Sequence, residues 1–331
     1  MIDLCDAKQK VNNMINSTIL GNSTIKVNRI GLGCMGMSEF YGSFNEAESI
    51  NTLHKAIDLG VNFFDTADMY GSGANERLIG KAFKGRWDAV VLATKFGVMR
   101  GPKGEWLGLN GKPEYIMKAC NQSLLNLGTD SIDLYYMHRQ DPNVEIEEIV
   151  GAMSDLVKQG KVKCLGLSEV DPETLRRAHK IHPITALQTE YSLWSREPEQ
   201  ELFEVCKELG ITFVAYSPLG RGFLTGAIKS RADMEDGDFR LSNPRFTDAA
   251  IKENIQFVKV VDQLARDKGV TKAQIALSWI LSQNNEITAI PGTRKIHRLE
   301  ENLGALKVEL TQADLDIIEA SMPKITVGTR Y

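Results

Sequence analysis

No stretch of this 331-residue sequence approaches the roughly 20 consecutive apolar residues of a membrane-spanning helix, which removes the helical integral-membrane class from consideration. There is no basic block and no interleaving of basic with aromatic residues. With 39 Lys and Arg against 43 Asp and Glu the formal net charge is −4, so neither nucleic acid nor an anionic membrane surface is an expected partner. Residues 1–10 have neither the basic start nor the apolar core of a secretion signal, and the expected location is cytoplasmic. Residues 1–17, mostly polar, read as a flexible extension. Cysteine is scarce and odd in number: Cys5, Cys34, Cys120, Cys164 and Cys206 show no metal-like pairing and fit buried thiols in a reducing compartment. Histidine is equally sparse. His179 and His182 lie three apart, but Pro183 follows and no carboxylate cluster accompanies them, so no metal site is expected.

What the chain does have is alternation. Thr18 to Val27 alternates apolar residues around Gly21, Asn22 and Ser23, the pattern of a small β-hairpin. Short apolar runs then recur with helical stretches between them: Arg29 to Cys34, Val61 to Asp65, Ala89 to Lys95, Ser131 to His138, Val162 to Ser168, Ala186 to Gln188, Ile211 to Ser217 and Glu286 to Ile290. The first helix is expected to open at Ser43, whose spacing to Glu46 is that of a capping box. Pro113 suits the first turn of a helix with Ile116, Cys120, Leu124 and Leu127 on one face, and Gly128 suits its stop. Eight such runs alternating with helices indicate a parallel sheet covered on both faces. That number fits one (β/α)8 TIM-barrel domain over residues 18–331, with long loops at its C-terminal face.

Gly31-Leu32-Gly33-Cys34-Met35-Gly36 spells the G-x-G-x-x-G of a dinucleotide-binding turn, which requires a helix to open inside the glycines. Here Met37 to Gly42 intervene before any helix, so the context argues against a Rossmann unit.

Three successive candidate strands finish in Asp65, Lys95 and His138, and Tyr70 sits on the loop after the first. In a parallel barrel all four converge on one rim. A free phenol has a pKa of about 10, so a tyrosine general acid that must regain its proton near neutrality needs a cation close by. Lys95 would stabilise the phenolate, Asp65 would orient Lys95, and a neutral His138 would hydrogen-bond the substrate oxygen. Plain alternatives are a structural ion pair at the rim for Asp65 and Lys95, and a satisfied core histidine for His138. Ser168, Gln188 and Tyr216 also lie at or near strand ends.

These motifs resemble the aldo-keto reductases, and the likeness is nearest to soluble plant- and microbe-type members. It runs from about Ile30 to Leu306 and rests on the glycine run above, Asp65-Thr66-Ala67-Asp68-Met69-Tyr70-Gly71, Thr94-Lys95, Met137-His138, Gly166-Leu167-Ser168, Tyr216-Ser217-Pro218-Leu219, and Pro291-Gly292-Thr293 through Glu301-Asn302. The resemblance implies NADPH-dependent reduction of an aldehyde or ketone carbonyl, with Asp65, Tyr70, Lys95 and His138 as the catalytic tetrad. It also implies Met35 at the cofactor, Ser168 and Gln188 at its carboxamide, and Tyr216 stacked on the nicotinamide. Ser217, Leu219 and Arg221 would form the pyrophosphate loop, Gly292, Thr293 and Arg298 would lie near the 2′-phosphate, and Glu301 and Asn302 at the adenine.

Two positions depart from the family pattern. Glu169 replaces the usual Asn after the motif serine, and Gly292 stands where a Lys is common, with Arg294 and Lys295 nearby as substitutes. Residues 220–249 resemble a segment that folds over the cofactor, where Arg240, Arg245 and Phe246 either contact phosphates or pin the loop. Tyr41, Met69, Trp106, Trp194 and Phe223 are candidate pocket residues or under-loop packing. The stretch after Ser321 is short and offers little material for a specificity lid. Two other functions remain open: a binding module that retains cofactor without catalysis, and a barrel lyase using Lys95 as a Schiff-base amine. No feature assigns an oligomeric state.

Overall fold

The computed structural model describes residues 17–101, 104–284 and 286–330. Most of the expected N-terminal extension, residues 1–16, lies outside them together with Cys5, while Ser17 already belongs to the first strand.

β1 (Ser17–Ile19) and β2 (Lys26–Asn28) form the expected antiparallel hairpin. Eight parallel strands follow: β3 (Leu32–Gly33), β4 (Phe63–Asp65), β5 (Val91–Phe96), β8 (Ile132–Met137), β9 (Val162–Ser168), β10 (Ile184–Glu190), β11 (Thr212–Tyr216) and β12 (Ile287–Ala289). Neighbours in space are neighbours in this series, and the sheet closes on itself. Gly31 N–H donates to the Ala289 carbonyl at 2.9 Å, and Ala289 N–H donates to the Arg29 carbonyl at 2.9 Å. This is the expected (β/α)8 barrel.

Gly31 and Gly33 lie in that seam. A Cβ on Gly33 would stand 2.8 Å from the Ile290 carbonyl oxygen, and one on Gly31 would stand 2.8 Å from that of Phe63. Close backbone approach, to Ile290 at the closure for Gly33 and to Phe63 of β4 for Gly31, and not a phosphate cradle, accounts for these two glycines.

Because side chains alternate along a strand, each apolar run feeds two cores. Phe63, Ala93, Leu134, Tyr136, Cys164, Ala186 and Val214 fill the lumen, where Leu20 and Val27 of the hairpin join them. Phe64, Leu92, Tyr135, Met137, Leu165, Leu187 and Phe213 face the surrounding helices. The lumen parity continues toward the C-terminal ends of the strands and becomes polar: Asp65, Lys95, His138, Ser168, Gln188 and Tyr216 each follow an inward-facing residue by two or four positions. Period 2 alone therefore sets these groups on one ring.

The helical layer comprises α1 (Glu46–Asp58), α2 (Ala74–Phe83), α3 (Pro113–Leu127), α4 (Ile146–Lys158), α5 (Pro172–Ile181), α6 (Leu202–Leu209), α7 (Asp248–Lys268), α8 (Lys272–Gln283), α9 (Ile296–Gly304) and α10 (Gln312–Ser321). α3 starts on Pro113 and stops at a left-handed Gly128, as its sequence predicts. α1 opens later than expected. Asn45 caps it by accepting from Glu48 N–H at 3.0 Å, whereas Ser43 donates through its N–H and hydroxyl to Glu235 at 3.0 and 3.1 Å. Asn45 to Glu48 repeats the capping spacing, and the distant carboxylate takes Ser43 out of contention.

An antiparallel hairpin, β6 (Val98–Arg100) with β7 (Trp106–Leu109), rises after β5 and was not evident in the sequence. Residues 220–246 contain only short 3-10 turns.

Gly80 in α2 gives a test of the helical layer. A glycine-to-alanine change inside a helix ordinarily gains about 1 kcal/mol. At Gly80, however, the new methyl would run into the Leu127 carbonyl at the end of α3. Gly80→Ala is expected to lower stability by about 1–2 kcal/mol by urea denaturation, since overpacking outweighs propensity. A raised midpoint would show that α2 and α3 do not meet there.

Candidate active site

Asp65 ends β4 and Lys95 lies near the end of β5, both buried. Lys95 Nζ donates to Asp65 Oδ1 at 2.5 Å and to the Thr66 carbonyl at 2.8 Å. The second carboxylate oxygen, Oδ2, accepts from Gln188 Nε2 at 2.7 Å. Burial pulls the Lys95 ammonium below the usual lysine range, and the Asp65 charge opposes that shift.

Tyr70 is placed by the loop after β4. Asn75 pins this loop: its Oδ1 accepts from the Thr66 hydroxyl at 2.7 Å, and its Nδ2 donates to the Cys34 carbonyl at 2.9 Å and the Ser38 hydroxyl at 2.8 Å. Gly71 and Gly73, at φ 57° and 83°, make the turn that follows. Lys95 Nζ then lies 5.3 Å from the Tyr70 ring centroid, and the His138 ring meets Tyr70 edge-on at 5.9 Å. The fold thus brings all four tetrad candidates together. His138 is held well below the ordinary histidine pKa by burial and by the Lys95 and Arg139 cations. Its Nδ1 is buried without a hydrogen-bond partner among the described residues.

The cofactor candidates occupy the same face. Ser168 ends β9, and its hydroxyl accepts from Arg139 at 3.0 Å. Gln188 lies near the end of β10 and is engaged with Asp65. Tyr216 ends β11, with Ser217 and Arg221 in left-handed backbone at φ 49° and 57° on either side of Leu219. The Arg221 guanidinium turns to Glu190 at 2.9 Å. Met35 is half-buried in the turn after β3. Gly292 bridges Gly33 across the seam, Thr293 accepts from Lys295 N–H at 3.0 Å, and Arg298 is exposed in the first turn of α9. Glu301 and Asn302 lie on that helix, Asn302 buried.

Several candidate side chains are engaged in packing or hydrogen bonds. Trp194 and Phe223 are buried, stack at 4.7 Å and meet Phe246, packing together beneath the loop as one of the two sequence readings has it. Trp106 is 61% exposed on β7, Met69 is half-buried, and Tyr41 packs on Phe239 at 5.1 Å under the Arg240 guanidinium. Arg240 and Arg245 pin the loop: the first bonds Asp238 and the Arg221 carbonyl, the second the Ser195 hydroxyl at 2.7 Å. Arg294 and Lys295, the nearby cations, both have partners. Arg294 donates to the Gly36 and Tyr41 carbonyls, and Lys295 pairs with Glu48.

The stretch after Ser321, short as it is for a specificity lid, reaches the site. Arg330 donates to the Tyr216 hydroxyl at 3.2 Å. Sequence reading also missed Asn75, Arg139 and Glu190. Glu190 has the lumen parity of Gln188 two positions on, and that was the available signal. Among the described residues no group of three His, Cys, Asp or Glu side chains is placed to hold a metal, and no helix is long and apolar enough to cross a membrane.

A closed parallel barrel with a buried Lys–Asp pair, a tyrosine and a low-pKa histidine on its C-terminal rim is the architecture of an α/β-barrel enzyme. Residues 29–322 match the model of the Aldo/keto reductase family, and the chain belongs to that family. It is 45% identical over 318 residues to Aldo-keto reductase yakc [NADP(+)] of Schizosaccharomyces pombe, covering 94% of this chain and 93% of that protein. Among solved structures it resembles an aldo/keto reductase from Klebsiella pneumoniae in complex with NADP and acetate, with a TM-score of 0.75, 26% identity and coverage of 95% and 98%. The glycerol dehydrogenase AKR11B4 of Gluconobacter oxydans shares the fold, with a TM-score of 0.83 at 24% identity and coverage of 96% and 99%.

The His138 environment has a consequence for stability. Unfolded, this histidine takes up a proton below about pH 6.5, whereas in the fold it stays neutral to much lower pH. The unfolded state therefore binds the extra proton, and stability falls as pH drops, by about 1.4 kcal/mol per pH unit. Above about pH 7 the contribution is constant. Urea melts from about pH 7.5 to pH 5 should show a steeper loss for wild type than for His138→Gln. Equal slopes would mean that His138 is charged in the fold.

Proposed function

We propose that this protein reduces aldehyde or ketone carbonyls to alcohols with NADPH, using Tyr70 as general acid assisted by Lys95, Asp65 and His138. The observation that carries this reading is the buried Lys95–Asp65 pair set beside the Tyr70 ring, with an imidazole, whose charging burial disfavours, also meeting that ring.

The residues fit the cofactor. Thr293 and Arg298 at the start of α9 supply a hydroxyl, a guanidinium and open backbone N–H groups suited to a phosphate. Arg294 is held by two carbonyls, whereas Lys295 keeps only a half-exposed surface pair with Glu48, so Arg298 and Lys295 are the cations of this group open to a 2′-phosphate. Ser168 and Gln188 would offer the carboxamide donors and acceptors, and Tyr216, Ser217, Leu219 and Arg221 would form the adjoining wall. Met35, Gly292, Glu301 and Asn302 complete the reading, which the NADP of the yeast relative's name and of the Klebsiella complex supports. NADPH, when bound, supplies the hydride.

The chain's own work is to handle the proton. Tyr70 gives its hydroxyl proton to the oxygen that gains charge and regains one from solvent. Between those events the phenolate faces the Lys95 ammonium, which Asp65 and the Thr66 carbonyl hold in place. His138 cannot readily be the acid, because burial and two neighbouring cations disfavour its imidazolium. As a neutral ring it donates a hydrogen bond that orients the carbonyl. A Schiff base on Lys95 would have to form on an amine with no exposed surface and two hydrogen bonds already in place. The four described cysteines are buried unpaired thiols, which supports a cytoplasmic location.

Tyr70→Phe keeps the ring and removes the proton. With a panel of aromatic and aliphatic aldehydes, kcat should fall by about 100-fold or more while NADPH affinity stays within about twofold of wild type. If wild type binds NADPH but turns over no carbonyl, the function is cofactor-coupled binding and not reduction.

A further inference from the structure

Residues 326–330 are fastened to the barrel rim at almost every step. The Thr326 hydroxyl donates to the Trp194 carbonyl at 2.7 Å, and Val327 exchanges two 2.9 Å bonds with the Asn254 side chain. Gly328 lies at φ +91°, and a Cβ there would stand 2.7 Å from the Pro244 carbonyl oxygen, so glycine permits the close approach. The Arg330 carbonyl accepts from Asn243 at 2.9 Å and from Arg221 at 3.2 Å.

These bonds deliver the Arg330 guanidinium into a cluster of charge. It forms an ion pair with Glu169, lies 3.3 Å from Glu190 and donates to the Tyr216 hydroxyl. Glu190, fully buried, has two other cations: Arg221 at 2.9 Å and Arg245 at 3.4 Å. Glu169 differs. Among the described residues Arg330 is its one ion-pair partner, and its carboxylate also accepts from Glu190 N–H at 3.0 Å. Glu169 directly follows Ser168 and holds left-handed backbone at φ 57°, so it is fixed at the rim between Ser168 and Tyr216.

We infer that Arg330 is a positioning residue of the cofactor site: it neutralises Glu169 so that an anionic dinucleotide can occupy the tops of β9 to β11, and it holds the Tyr216 hydroxyl. A dinucleotide phosphate carries several negative charges. A partly buried carboxylate without its cation at the edge of that site opposes binding through a low-dielectric path. Arg330 acts through Glu169 and Tyr216, outside the proton-transfer step. The inference rests on the cofactor placement proposed above.

The test is NADPH binding, by fluorescence titration, to wild type, Arg330→Met, Glu169→Gln and the double variant, with a melting curve for each. Arg330→Met should weaken binding by about tenfold, and Glu169→Gln alone by about threefold at most. The double variant should recover to within about threefold of Glu169→Gln, and kcat at saturating NADPH should change less than the dissociation constant. Recovery is the readout that a merely structural anchor would not give. If Arg330→Met does not fold, Arg330→Lys, which keeps the charge, should bind within about threefold of wild type. Wild-type affinity in Arg330→Met, a double variant no tighter than Arg330→Met, or a tenfold loss in Arg330→Lys would overturn the inference. A wild type that binds no NADPH would overturn the cofactor placement with it.

Discussion

Two opposite charges inside a barrel lumen are the constraint on which this site depends. Removing a carboxylate and an ammonium from water costs several kcal/mol for each ion, and their attraction offsets this only when the remaining lone pairs and protons are also satisfied. Here they are: Lys95 bonds Asp65 and the Thr66 carbonyl, and the second oxygen of Asp65 takes a bond from Gln188. Gln188 belongs to β10 and Asp65 to β4, well separated in the order of the sheet, so the bond crosses the lumen. The pair is therefore tolerable only in a closed barrel, and the closed barrel in turn places the ammonium beside Tyr70.

A second buried carboxylate organises the loops. Glu190, at the end of β10, accepts from the Ser195 hydroxyl and from arginines of two parts of the 220–246 segment, and Arg330 approaches it from a third direction. Four loop contacts meet on one side chain, which explains how a long segment with only short 3-10 turns keeps a defined course. It also explains the buried aromatic set of Trp194, Phe223 and Phe246 under that segment. Their rings supply packing, and the arginines supply the tie-points.

The barrel was legible because each strand is short, apolar and bounded, and because its inward positions turn polar at one end. Reading Phe63 and Asp65, Ala93 and Lys95, Tyr136 and His138 as pairs two apart gives the lumen ring from local sequence. The helix stops at Gly128 and the start at Asp171 followed by Pro172 were equally local. Ser43 was misread for a local reason as well: two overlapping capping spacings compete, and a carboxylate 192 positions away decides between them. The β6–β7 hairpin and the partners of Arg294 and Lys295 depend on contacts that no short window contains.

By itself the sequence determined the alternation of elements, the parity of the strands and the chemical types at their ends, since all of these follow from nearest-neighbour sterics and period-2 geometry. Tertiary structure alone decided which charged groups remain available and which are spent. Arg221, Arg240, Arg245 and Arg294 look alike as residues, yet Arg221, Arg245 and Arg294 are consumed by groups 31 to 258 positions away and Arg240 by Asp238 and the Arg221 carbonyl, while Arg298 stays exposed and Arg330 reaches the rim from beyond the last helix. An ion pair is a statement about distance in space. Sequence separation carries no information about that distance until the barrel has closed.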